Sequence, residues 1–248
     1  VPEIPVENGL PRYARLKKVL AKYVGWGGLA QAFDEHNLAW QNEYKELKDV
    51  LSVEEYAAAK GSVLNAHYTS KEVIGGIYRA LLQFGVKGNN RILEPAMGTG
   101  NFFGFMPKEI SDGAHLYGVE LDRITGRIAT KLYPQARIQI KGFEETCFQD
   151  NSFDLMVTNV PFGGYGVFDP DYNKHHFLIH DYFIAKSIRK LKPGGLGVFI
   201  TSTATLDRSA NLRNWVVNDG NADFIGAVRL NTGTFKNCLL YTSPSPRD

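Results

Sequence analysis

Little in this chain points to disulfides, a membrane or a strongly charged partner. Two cysteines in 248 residues leave no disulfide framework and no cysteine-based metal site. No window approaches the roughly 20 apolar residues that cross a bilayer, and no charged-then-apolar signal segment opens the sequence. Cytoplasmic residence without membrane contact is the default expectation. An excess of one charge is also missing. Lys and Arg number 28 against 26 Asp and Glu, a net of +2, which argues neither for nor against nucleic acid. Internal repeats are absent. What remains is a 44% hydrophobic composition, enough for one large α/β domain with a short appendage.

Both ends read as cut. Val1 opens the chain without an initiator Met, and residues 238–248, Cys238 to Asp248, match one reading frame of a transposase adaptor used in sequencing libraries. The Ser-Pro-Ser-Pro within that stretch cannot continue a strand or helix. A genuine disordered tail is the other reading. If the stretch is a translated adaptor, Cys238 is foreign, Cys147 is the one native cysteine, and the last antiparallel strand of the sheet is expected to be truncated.

Residues 1–62 form a polar, helical extension. Tyr13, Leu16, Val19, Leu20 and Tyr23 share one face, Trp40, Tyr44 and Leu47 resume the spacing, and Ser52 ahead of Glu54-Glu55 caps a helix to Lys60. Gly25-Trp26-Gly27-Gly28 between them is a turn, read as a packing element in preference to a binding loop. From 63 to 237 the pattern alternates. Strands are expected near 91–94, 115–121, 136–140, 153–158, 196–201 and 223–229. Helices are expected near 71–84, 101–108, 123–132, 177–191 and 207–218, with turns at 85–90 and Lys192-Pro193-Gly194-Gly195. Such alternation builds a doubly wound, mostly parallel sheet with right-handed crossovers. Its ligands sit beyond the strand carboxyl ends, where the strand order reverses.

Two motifs fall at such ends. The first is Glu94-Pro95-Ala96-Met97-Gly98-Thr99-Gly100. Gly98 and Gly100 let backbone approach a ligand closely, but a lone Gly-x-Gly is shared with nicotinamide and flavin sites. The acid ahead of it discriminates. A carboxylate at the strand tip suits no pyrophosphate, whereas it suits the cationic sulfonium and ammonium of S-adenosylmethionine. Glu120 lies about 20 residues past the glycines, the place for a carboxylate on both ribose hydroxyls. Glu144 follows the third strand and could accept from an adenine amine, with Glu145 competing for that role.

The second motif is Asn159-Val160-Pro161-Phe162 after the apolar run Phe153 to Thr158. The Asn159 side-chain oxygen and the Val160 carbonyl are two acceptors for an exocyclic amine. Pro161 biases Val160 toward extended geometry, and Phe162 offers a stacking face. Read alone, the tetrad also makes an ordinary turn; downstream of Glu94–Gly100 and Glu120 it fits methyl transfer onto a flat, amine-bearing group. His175, His176 and His180 lack an evident carboxylate-rich third ligand, so no metal is expected, and Tyr165 to Asn173 reads as a loop over the substrate pocket.

Together these segments resemble the adenine-amine DNA methyltransferases over about residues 65–235, in the gamma order with the cofactor loop first. The resemblance implies a Rossmann-like class I methyltransferase fold, S-adenosylmethionine as cofactor, and a flipped adenine in DNA as substrate. It also places Tyr68-Thr69 at the methionine end of the cofactor, with Ser70 where the family usually has Pro and Val160 where it usually has Pro. The Gly-Trp-Gly-Gly extension and Asn159 to Gly163 are similar to the methylase portion of very large methyltransferase–helicase proteins of phages and conjugative elements. That likeness implies fusion to a helicase region and a role in protection from restriction. A protein glutamine amide, an RNA adenine, or a non-catalytic DNA-binding domain of a helicase polypeptide remain alternatives, and a nicotinamide dehydrogenase is a distant one.

Overall fold

The computed structural model describes residues 12–23, 25–27, 29–63, 69–231 and 234. Five strands form one parallel sheet in the order β3-β2-β1-β4-β5. They are β1 (Arg91–Glu94), β2 (His115–Glu120), β3 (Arg137–Ile140), β4 (Phe153–Asn159) and β5 (Leu191–Ile200). The first strand is central. Chain order runs outward from β1 through β2 to β3, then jumps back across it to β4, so the order reverses between β1 and β4. That crevice is where a doubly wound sheet receives ligands.

Both faces of the sheet are covered, as a parallel sheet requires. Alternation along the strands divides the core. Ile92, Leu155 and Val157 pack on one side with Ile74, Tyr78 and Leu81 of α4 (Lys71–Gln83). Leu93 and Met156 pack on the other with Tyr182 to Ala185 of α8 (Ile179–Lys190). The register Ile92↔Leu155 and Leu93↔Met156 fixes how far β1 and β4 project. Glu94 lies one residue beyond the last of these pairs and Asn159 three, so both motifs open on the same edge.

The amino-terminal extension is helical as its sequence implies, with α1 (Arg12–Leu20), α2 (Gln41–Val50) and α3 (Val53–Ser62). Ser52 caps α3 in a complete capping box with Glu55. Ala32, Phe33, Ala59 and Val63 make a small core of their own. Trp26 stands edge-on to Tyr23 and Phe33, at 6.1 and 5.6 Å between ring centres, which is the packing role expected of the glycine-flanked turn. Gly28 lies outside the described residues. The extension is fastened to α7 (Arg123–Leu132) by an Arg127–Glu55 ion pair of 3.1 Å and by Tyr23 with Thr125 at 3.4 Å between hydroxyl oxygens.

Four expectations require correction. Residues 223–229 form no strand: the segment has an alternating apolar pattern but finds no strand partner among the described residues, and Phe224, Ile225 and Val228 stand exposed. The helix expected at 101–108 is two short ones, α5 (Asn101–Gly104) and α6 (Lys108–Ser111), because Pro107 lacks an N–H to continue the first and starts the second. The helix expected at 207–218 is likewise broken into α9 (Thr203–Asp207), α10 (Ala210–Arg213) and a wide turn at Asn214–Asn218. Lys192 to Gly195 does not separate helix from strand. It bulges within β5, since Phe153 pairs with Leu191 while Leu155 pairs with Leu196. The residues read as an adaptor, together with the final strand they would truncate, lie outside the described residues.

Candidate active site

The loop after β1 is held from both sides. Met97 N–H donates to the Val119 carbonyl at 3.0 Å, and Gly98 N–H donates to Glu120 Oε2 at 2.8 Å. Gly100 N–H closes the turn on the Met97 carbonyl at 2.8 Å. Gly100 has φ of 84° and opens α5, and a Cβ there would stand 2.6 Å from the Tyr133 ring. Both its conformation and its surroundings exclude a side chain.

Three acids line the carboxyl edge of successive strands. Glu94 ends β1, Glu120 ends β2, and Glu144 follows β3 in the turn Phe143–Glu145. Glu94 is 2% exposed, and its Oε2 is buried without a hydrogen bond among the described residues. Burial, then the charge of Glu120, push its pKa well above the usual carboxylate range. Glu120 is pushed up to about 7, chiefly by burial, although the N–H groups of Asp122 and Gly98 hold its ionised form. Two acids crowded in this way are poised for a cation. In the third turn, Glu145 accepts from Gly142 N–H at 3.2 Å and is exposed, while Glu144 is half-buried with its carboxyl over Gly142. Glu145 is therefore occupied in capping, whereas Glu144 has no such role in the turn.

Ahead of α4, Tyr68 lies outside the described residues. Thr69 is buried, and its carbonyl accepts from Asn101 Nδ2 at 3.4 Å, which ties the segment to the start of α5 next to Gly100. Ser70 takes over helix initiation, its hydroxyl accepting from Val73 N–H at 3.4 Å. Asn101 was not singled out by its sequence position. Only the folded chain shows that it clamps Thr69 to the glycine loop.

On the neighbouring strand, Asn159 pairs with Ile200, and Val160 N–H donates to the Ile200 carbonyl at 3.0 Å. Val160 is buried in the core, and Phe162 packs against the same cluster while half-buried. The three histidines do not converge. His175 stacks on Phe177 at 5.1 Å, His176 is exposed, and His180 is buried beside Asp181 at 3.6 Å. Among the described residues no group of three or more His, Cys, Asp or Glu could hold a metal, and no helix is long and apolar enough to cross a membrane.

This arrangement can be set beside known proteins. The family model described as N-6 DNA methylase matches residues 50–242. The chain belongs to that family. This methyltransferase is 32% identical over 180 residues to the defense against restriction protein B of Escherichia phage P1, covering 71% of the chain and 8% of the phage protein. It is 31% identical over 123 residues to the uncharacterized protein YtxK of Bacillus subtilis, covering 44% of the chain and 36% of that protein. The chain thus spans well under half the length of either relative. A solved structure from Listeria monocytogenes, assigned to the class I S-adenosylmethionine-dependent methyltransferases, aligns with a TM-score of 0.54 at 20% identity, covering 83% of this chain and 79% of that one. The fold is the Rossmann-like class I methyltransferase fold, and the cofactor is S-adenosylmethionine.

The residues present fit that cofactor. The orphaned Oε2 of Glu94 lies buried where a cation would satisfy it, and the cradle at Gly100 has no room for a Cβ. Glu144, Glu120 and Glu94 run in a row across β3, β2 and β1 toward β4.

Proposed function

We propose that this methyltransferase moves a methyl group onto the exocyclic amine of adenine in DNA, after the base is flipped out of the duplex. The adjacency of β1 and β4 carries the reading, because it sets the cofactor loop beside Asn159–Phe162. The family description and the restriction-defence relative favour DNA over RNA or a protein amide. Fusion to a helicase region belongs to the same reading and rests on the likeness of the motifs.

An adenine amine is a weak nucleophile, since its lone pair is delocalised into the ring. Asn159 Oδ1 and the Val160 carbonyl accept its two hydrogens, draw the nitrogen toward tetrahedral geometry and return the lone pair to it. Bound there, S-adenosylmethionine would supply an electrophilic methyl and be left as the neutral thioether, and the proton shed by the methylated amine would pass to solvent. Phe162 stacks on the base for about 1–3 kcal/mol. Flipping costs a few kcal/mol, so stacking offsets part of it and the two acceptors must supply the rest. Holding donor and acceptor in line contributes on the order of 7–11 kcal/mol. Glu94, Glu120 and Glu144 would hold the methionine end, the ribose and the adenine of the cofactor, with Tyr68-Thr69 and the Pro95-Ala96-Gly98-Gly100 loop as its further partners in this reading.

Labelled methyl followed into DNA, RNA and protein tests this directly. Label is expected in DNA adenine, and Asn159→Ala should reduce transfer by roughly 10²–10³-fold, the size of losing one preorganised polar group, with cofactor affinity retained. Label confined to RNA or protein, or full transfer by Asn159→Ala, would refute the reading.

A further inference from the structure

Lys186 sits in the middle of α8 among residues that pack into the core, and its side chain is 5% exposed. A lysine this deep has to be paired. Its ammonium donates to Asp169 Oδ2 at 2.9 Å and to the Glu144 carbonyl at 3.3 Å, and stands 5.1 Å from the centre of the Phe143 ring. Asp169, with its side chain 8% exposed, also accepts from the Tyr182 hydroxyl at 2.7 Å and from Asp171 N–H at 3.1 Å. Asn173 Oδ1 accepts from the Asp169 N–H at 3.0 Å. One ammonium therefore joins three pieces of chain: α8, the turn that carries Glu144, and the loop that follows Asn159–Phe162.

Stability alone does not account for the arrangement. A buried ion pair is often no more stabilising than apolar residues of the same volume. What apolar residues could not do is grip a main-chain carbonyl on the cofactor side and a loop carboxylate on the substrate side with the same atom. We propose that Lys186 and Asp169 are positioning residues that make these two sides of the site move together, so that filling the cofactor site orders the substrate loop. The proposal rests on the reading of Glu144 and of Asn159–Phe162 given above.

The test uses the 248-residue chain and S-adenosylhomocysteine, the demethylated product, as probe. In the wild type, binding should slow amide hydrogen exchange across residues 163–178. In the Lys186→Met/Asp169→Leu double variant, which leaves no lone buried charge, the slowing should vanish and the dissociation constant should rise about tenfold, within the usual range of coupling between sites. Equal slowing and equal affinity in the variant would overturn the proposal. Tyr182→Phe removes only the hydroxyl that reaches Asp169 and covers the case in which the double variant does not fold. Partial loss of loop protection is expected there, and unchanged protection would overturn the coupling. Glu144→Ala separates this from the parent reading: undiminished affinity in that variant removes Glu144 from the cofactor site, whatever the loop does.

Discussion

Glu120 carries two demands in one carboxyl. It receives the Gly98 N–H that shapes the cofactor loop, and it is expected to receive ribose hydroxyls as well. Burial sets its pKa at about 7 in place of 4.5. The sign of the consequence follows from proton counting. Between those values the folded chain holds a proton that the unfolded chain has released, so the stabilisation is full below about pH 4.5 and is lost as pH rises through about 7. Glu94, raised for the same reason, acts in the same direction. The ligand-free chain should therefore lose stability, read as a falling Tm, from about pH 4.5 to about pH 7, by at most about 3–4 kcal/mol from Glu120. The slope should flatten in Glu120→Gln. A cationic ligand favours the ionised acids, so cofactor affinity should climb across the same interval. An identical Tm slope in wild type and Glu120→Gln would remove Glu120 as the cause.

Among the elements, β4 has the most to hold. It lies between β1 and β5 and contributes fully buried Leu155 and Val157 to one face of the core and Met156 to the other. Its carboxyl end must still deliver Asn159 in register with Ile200. Leu155→Ala leaves a cavity at the centre of the sheet and should cost about 2–5 kcal/mol in denaturant unfolding. A cost below about 1 kcal/mol would mean that the site collapses around the smaller side chain and that β4 is less tightly wedged than its burial implies. The strand is legible in sequence because the six residues Phe153 to Thr158 form a largely apolar run bounded by turn formers. The bulge in β5 is not legible. Lys192-Pro193-Gly194-Gly195 reads as a turn locally, and only pairing with β4 on both sides of it draws it into the strand.

On the scale of the whole molecule, β5 has no neighbour on its outer side among the described residues, while Phe224, Ile225 and Val228 stand exposed in the segment after the last helical turn. Unpaired strand edges and exposed apolar side chains each favour pairing between copies. Light scattering should rise with concentration, and Ile225→Lys with Val228→Lys should suppress it; scattering unchanged by both substitutions would place the contact elsewhere. The strand expected at 223–229 illustrates the division between the two sources of information. Its alternating residues satisfy a local rule, but a strand exists only where a neighbour supplies hydrogen bonds, and no local rule names that neighbour. The alternation of strands and helices, the acid-led glycine loop and the Asn159–Phe162 tetrad were all readable because each is built from residues adjacent in the chain. Sequence alone determined those, and with them the fold class and the cofactor. Tertiary structure decided that β1 and β4 lie side by side, that Asn101 clamps Thr69, and that Lys186 finds Asp169 and the Glu144 carbonyl. Those are contacts between residues 17 or more positions apart, and they come into being only when burial of the core brings the elements together.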